Sequence, residues 1–181
     1  MTKFVLHGGY TRINCKSNKD FFKELLRGFN NPKVLLVYFA RDVRDWKSLF
    51  EDDKKNFGHS VRLSMATTKD FSKEVMDSNI IYLRGGDTYK LLKELRKINF
   101  KKLIKGKVIG GSSAGVYVLV KYYYSNHADE LRRGLGILNI KAFCHFSQDK
   151  KDKLKMLKEY KEKLKTYVLK DTEFIVLKED F

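Results

Sequence analysis

The strongest constraint on the fold is a repeated alternation. Short apolar runs with no polar interruption are each followed by a stretch whose apolar residues recur at helical spacing. "KFVLHGG" precedes "KDFFKELLRGF", and "KVLLVYFA" precedes a helical pattern around 45–55. A weaker run, "SVRLSM", precedes "TKDFSKEVMD"; "NIIYL" precedes "TYKLLKELRKI"; "KVIGG" precedes the apolar stretch "AGVYVLV". Short apolar runs bounded by turn residues read as strands, and strands that alternate with helices pair in parallel through helical crossovers. Uninterrupted strands such as "VLLVYF" and "IIYL" need cover on both faces. The expectation is an α/β fold with a doubly wound, mostly parallel sheet and helices on both faces. The single proline, Pro32, lies in a turn, and neither a linker nor a repeat divides the 181 residues, so one domain spanning 1–181 is expected.

Composition then narrows the class. A hydrophobic fraction of 43%, with 13 Phe and 10 Tyr, is far above that of a disordered chain. No apolar stretch approaches the roughly 18 to 20 residues that a membrane-spanning helix needs, and "MTKFVLHGGY" reads as a strand with no cleavable signal. A cytoplasmic protein without membrane association is expected. Cys15 and Cys144 lie outside any C-x-x-C or Cys/His spacing, so both read as free thiols and no metal is expected. The formal charge of +16 raises the question of nucleic acid. The basic residues are dispersed and mixed with acids, however, as in "DKKDKLKMLKEYKEKLK", which suits a solvated helix face. No specific nucleic-acid partner is expected.

Doubly wound sheets carry function at the carboxyl ends of their strands. Three glycine pairs fall there: Gly8 and Gly9, Gly85 and Gly86, Gly110 and Gly111. One pair alone is most simply a tight turn, whereas three along one rim point to a site. Gly111-Ser112-Ser113-Ala114-Gly115 fits G-x-S-x-G between an apolar strand and an apolar helix, the setting of a nucleophile elbow. Small neighbours let such a turn bend and keep its serine exposed. Ser113 is therefore the candidate nucleophile and the Ala114 N–H a candidate oxyanion donor at the helix start, while Ser112 fills the variable position. A serine of this kind needs a base. Of His7, His59, His127 and His145, only the last two follow the elbow. His145 ends the apolar run in "AFCHFS" and could reach the same rim on a strand; His127, in "YSNHADE", reads as an exposed loop residue. "YVLVKYYY" reads as a hydrophobic helix face, in the core or at an interface.

These residues carry a resemblance. "YLRGGDTYKLLKEL", "GGSSAGV" and "RGLGILNIKAFCHFS" resemble the dipeptidase E and cyanophycinase group of serine peptidases, whose fold is class I glutamine amidotransferase-like. The similarity runs from "LHGGY" to "VLKDTEFIVL" and includes the glycine loop, the elbow, the Gly-Leu-Gly-Ile-Leu segment and the His-aromatic-Ser step. It implies a catalytic triad of Ser113, His145 and Asp171, with Asp129 and Glu173 as fallback acids. It also implies an oxyanion hole made by Ala114 with Gly86, or with Gly85 as the near alternative. No cofactor or metal is implied, and the partner is a small peptide substrate.

The sequence departs from that pattern in three places. The family's Asp-specific members carry a Gly-x-Thr-Arg segment after the histidine, where this chain continues as "QDKKDKLKMLKEY", so strict preference for an amino-terminal aspartate is not implied. Arg84 stands where many relatives have glycine. With Asp87 it is a substrate-binding candidate, expected to meet a carboxylate at the mouth of the site. The segment after Asp171 is short, which leaves the pocket either open or completed by a second subunit of a homodimer. The implied activity is a serine peptidase acting on dipeptides or short peptides through an acyl-enzyme; the competing reading is an inactive amidotransferase-like binding or regulatory domain.

Overall fold

A computed structural model describes residues 1–180. The first five strands and their helices follow the alternation: β1 (Thr2–His7), α1 (Lys16–Leu26), β2 (Lys33–Val37), α2 (Trp46–Phe57), β3 (Arg62–Met65), α3 (Phe71–Asp77), β4 (Ile80–Leu83), α4 (Thr88–Leu95), α5 (Phe100–Leu103) and β5 (Val108–Ser112). Then come α6 (Ala114–Leu119), β6 (Val120–Ser125), β7 (Glu130–Arg133), β8 (Leu138–Cys144), α7 (Lys151–Glu159), β9 (Thr166–Leu169) and β10 (Phe174–Glu179). Strands β1 to β5 form a parallel sheet that β10 extends antiparallel to β1, in the order β10-β1-β5-β4-β2-β3.

Side chains alternate across a strand, so an unbroken apolar strand needs two covers, and both are present. Val5, Val34, Leu36 and Tyr82 meet Phe21, Phe22 and Leu25 of α1 and Leu49 and Phe57 of α2. Phe4, Leu35, Val37, Ile81 and Ile109 face the other way, against Phe71, Val75, Leu91, Leu95, Phe100 and Val116 of α3 to α6. The doubly wound, mostly parallel arrangement is thus present in the main sheet.

A second sheet, ordered β7-β6-β8-β9, lies beyond α6. It corrects one expectation, because "YVLVKYYY" is not one helix: α6 stops at Leu119 and the tyrosines lie on β6. Three consecutive tyrosines favour a pleated surface, and only a period of two separates them as observed. Tyr123 joins the central core, while Tyr122 and Tyr124 join Phe143 and Leu157 under α7. The lysine-rich pattern after residue 149 likewise yields a helix only over α7.

This second sheet matters for the site. Strands β1, β4 and β5 end on one rim at His7, Leu83 and Ser112, β8 ends at Cys144 just before His145, and Asp171 lies in the turn between β9 and β10. Cys15 and Cys144 are free thiols. No helix among the described residues is long and apolar enough to cross a membrane.

Candidate active site

Ser113 follows β5 directly with φ 50° and ψ −106°, a backbone conformation that non-glycine residues rarely hold. Its N–H donates to the His7 carbonyl at 3.0 Å, and its own carbonyl accepts from the N–H groups of Val116 and Tyr117 at 2.9 and 3.1 Å. These bonds fix the turn from both sides. The glycines that flank it are required by space: a Cβ on Gly115 would overlap the Leu83 carbonyl, and one on Gly111 would press on the Gly115 backbone. The elbow is therefore bent as the G-x-S-x-G pattern demands.

His145 is brought to the serine by β8. Its Nε2 lies 2.9 Å from Ser113 Oγ, and its Nδ1 lies 2.6 Å from Asp171 Oδ1. A carboxylate only accepts, so Nδ1 carries the proton and Nε2 is free to accept from the serine hydroxyl. The fallback acids are engaged elsewhere. Asp129 accepts from the Tyr124 hydroxyl at 2.8 Å and pairs with Lys153, and Glu173 accepts from the Lys170 N–H at 3.0 Å. His127 is exposed, as read, and stands apart from the serine.

Several residues with no sequence signal hold the imidazole. The Tyr117 hydroxyl, on the helix behind the serine, donates to the Cys144 carbonyl at 3.2 Å and accepts from the Cys144 N–H at 3.0 Å. Asn126 Nδ2 reaches the same carbonyl at 2.9 Å, and Lys150 Nζ donates to the His145 carbonyl at 2.6 Å. The ring itself packs on Gly9, where a Cβ would overlap it. Tyr10 stands edge-on to it with centroids 5.3 Å apart.

His7 holds the Gly9 loop in turn. Asn18 Nδ2 donates to the carbonyls of Tyr10 and Ile13, so its Oδ1 must accept from His7 Nε2, at 2.8 Å. His7 Nδ1 is then the acceptor for the Gly9 N–H at 3.0 Å. Burial holds the imidazole neutral and lowers its pKa to about 4, against the opposing effect of the hydrogen bond it donates to Asn18. The unfolded chain, with a histidine near 6.5, binds this proton more readily, so stability from this group is full above pH 6.5 and is lost as pH falls toward 4. The total is roughly 3 kcal/mol. We expect urea unfolding of wild type and His7→Gln to converge in this window, because only the wild type loses this contribution. Parallel profiles would contradict the assignment.

The glycine loop separates the two oxyanion candidates. The Gly85 N–H donates to Ser112 Oγ at 3.0 Å and is therefore occupied. Neither the Gly86 N–H nor the Ala114 N–H hydrogen-bonds to another described residue. Gly86 has φ +153°, and a Cβ there would overlap the Ala40 carbonyl. Gly86 and Ala114 thus offer free donors beside Ser113, and Gly85 does not. Ser112, at the variable position of the elbow, ties the two loops together, and the Tyr82 hydroxyl reaches it at 3.4 Å.

Two substrate-binding candidates stand differently from expectation. Arg84 is not at the mouth: it is 3% exposed and forms an ion pair with Asp53, which is completely buried. Asp53 Oδ2 also accepts from the Tyr38 hydroxyl at 2.8 Å. Burial pushes the Asp53 carboxyl above the usual carboxylate range, opposed by the Arg84 charge and the Tyr38 hydroxyl. A guanidinium this deeply buried is tolerated only when paired, and Asp53 of α2 supplies the partner. Arg84 nevertheless lines the cavity around Ser113 from below. Asp87 caps α4, its Oδ1 accepting from the N–H groups of Tyr89 and Lys90 at 2.8 and 3.1 Å. It faces a neighbouring cavity, not that of the serine.

The Ser113 cavity measures about 430 Å³ and includes Tyr10, Arg12, Arg41, Arg84, Gly86 and His145 in its wall. Among the described residues, three guanidiniums and no carboxylate line it. Arg41 Nε donates to the Gly85 carbonyl at 2.6 Å. No cluster of three metal-ligating side chains occurs among the described residues.

Comparison with known proteins gives a consistent result. The family model described as peptidase family S51 matches residues 5–181. A curated relative, an uncharacterized peptidase of Pasteurella multocida (strain Pm70), is 27% identical over 142 residues, covering 68% of each chain. Among solved structures, a peptidase from an acI-B1 actinobacterium superposes with a TM-score of 0.70 at 18% identity, covering 98% of this chain and 83% of that one. A candidate peptidase E from Listeria monocytogenes EGD-e gives 0.67 at 17% identity, with 99% and 100% covered. At these identities the superpositions speak to the fold.

Proposed function

This chain belongs to peptidase family S51 and is a serine-type peptidase, and from that premise we propose that it hydrolyses dipeptides or short peptides through an acyl-enzyme on Ser113. The observation that carries the reading is the unbroken relay from Ser113 Oγ through His145 to Asp171, at 2.9 and 2.6 Å. Ser113 Oγ attacks the scissile carbonyl carbon while His145 Nε2 takes the hydroxyl proton. The oxyanion is held by the N–H groups of Gly86 and Ala114, which have no other partner among the described residues to surrender. Collapse breaks the C–N bond, His145 returns its proton to the departing amine, and the acyl group stays on Ser113. Water, deprotonated by the same nitrogen, then attacks the ester and releases the acid. Asp171 keeps the imidazole in the required tautomer and stabilises its charged form.

Arg12 and Arg41 support a preference for a carboxylate-bearing substrate. Both line the Ser113 cavity, and no carboxylate among the described residues does. A cavity of about 430 Å³ suits a short peptide better than a folded protein. The test is incubation with a mixture of synthetic peptides of graded length, with products identified by mass spectrometry. Cleavage concentrated in the shortest members and in those bearing Asp or Glu is expected. A mixture left intact by folded wild-type protein would overturn the proposal.

A further inference from the structure

Arg12 separates the Ser113 cavity from a second one of about 460 Å³, and it forms part of the wall of both. The second cavity is lined by Lys19 and Lys23 of α1, Lys55 of α2 and the amides of Asn14, Asn18 and Asn56, over an apolar floor that includes Phe22. No carboxylate among the described residues lines it. The cavity on the opposite side, reached past Gly86 and Arg41, is different: Asp42, Asp45 and Asp87 balance its cations.

We propose that the trough beyond Arg12 is a substrate subsite for an acidic stretch of peptide continuous with the segment being cut. The inference rests on the peptidase reading of Ser113 and extends it from short peptides to acidic oligopeptides. Of the four cations, only Arg12 has a carboxylate partner, Asp52, at 3.0 Å. Lys19, Lys23 and Lys55 hold no side-chain hydrogen bond or ion pair among the described residues. Lys19 and Lys23 are also four apart on one helix, a spacing at which like charges repel. A groove that gathers unpaired cations on two packed helices, beside a cavity already lined by three guanidiniums, favours an anionic occupant.

The position selects the occupant's class. Because the trough shares Arg12 with the Ser113 cavity, a peptide seated at Ser113 can continue into it. A nucleic acid would want exposed aromatic rings for stacking, and the only ring in the lining, Phe22, is 2% exposed. The amides of Asn14 and Asn56 suit carboxylates and peptide carbonyls alike, while that of Asn18 is held by His7, Tyr10 and Ile13.

The test uses Ser113→Ala protein, so binding is read separately from cleavage. The probe is a fluorescein-labelled short peptide extended at either end by a run of Glu or by a matched run of Gln. At one end, the Glu extension should tighten binding by about tenfold over Gln at low salt, an advantage that salt near 0.5 M should largely remove. In a Lys19→Gln, Lys23→Gln, Lys55→Gln background the Glu-to-Gln ratio should fall to about one. A charge-matched control, Lys69→Gln, Lys73→Gln, Lys105→Gln, should keep it. Equal binding of Glu and Gln peptides at both ends, or a ratio that survives the triple change in the trough, would overturn the subsite. So would displacement by a single-stranded oligonucleotide under conditions where Glu peptides show no advantage, which would assign the trough to nucleic acid. Failure of peptide cleavage by the wild type would instead strike the peptidase reading, leaving the binding ratios to decide the trough.

Discussion

Replacing Ser113 by alanine should lower peptide hydrolysis by about 10⁴-fold or more, and His145→Ala should cost a similar amount. The double variant should be little worse than either single one, because the two side chains act as one unit: the hydroxyl is a poor nucleophile without a base, and the base has nothing to deprotonate without the hydroxyl. Asp171→Asn tests a different element. The amide can donate toward Nδ1, which would leave the proton on Nε2, facing a hydroxyl it should be accepting from. A loss of about 10⁴-fold with an unchanged fold is expected. Initial rates on the best-cleaved peptide, with circular dichroism as the check on folding, measure all four variants. Retention of more than a few per cent of activity by Ser113→Ala would place the chemistry elsewhere.

The second large effect concerns stability. Asp53→Leu removes the carboxylate that Arg84 and Tyr38 share, leaving a guanidinium and a hydroxyl buried without it. Breaking one side of a buried ion pair costs about 3 to 5 kcal/mol, most of it the penalty for the stranded charge. Asp53→Asn should cost less, since its carbonyl can still accept from Arg84 while its amide N–H donates to the Tyr38 hydroxyl oxygen. Adding Arg84→Met to Asp53→Leu should recover much of the loss, because an apolar replacement of similar volume leaves no buried charge and only the Tyr38 hydroxyl without its acceptor. Urea unfolding measures the series, and a loss below about 1 kcal/mol in Asp53→Leu would show that the pair is not isolated from water. Arg84 directly precedes Gly85 and Gly86, so the single variant should also lose turnover well below its unfolding midpoint. The Gly86 N–H would no longer be held where the oxyanion forms.

Much of this was legible in the sequence, for physical reasons that differ by element. The parallel sheet was readable because β2 and β4 are apolar on both faces, which leaves few alternatives to helical cover. The elbow was readable because close approach to Leu83 and to its own helix admits only glycine at 115 and at 111. His145 was placed by the apolar run that ends just before it. The second sheet was not readable where "VKYYYS" follows a helix, since a short apolar run looks alike in either state and Val120 carries no break signal. The depth of Arg84 was hidden for another reason. A lone arginine reads as surface until its partner is known, and Asp53 lies 31 residues away inside an amphipathic helix, with no local pattern linking the two. The choice between Gly85 and Gly86 turned on Ser112, whose hydroxyl occupies one of two neighbouring amides. Such a distinction resides in a hydrogen bond and leaves no trace in spacing.

The central claim is that Ser113 is a nucleophile activated by His145. Treatment with a fluorophosphonate probe, followed by mass spectrometric location of the adduct, tests it most directly, because the probe reports the activated hydroxyl without assuming any peptide sequence. The account predicts one adduct, on Ser113, absent from Ser113→Ala and strongly diminished in His145→Ala. An adduct on another residue, or equal labelling of wild type and His145→Ala at Ser113, would contradict it.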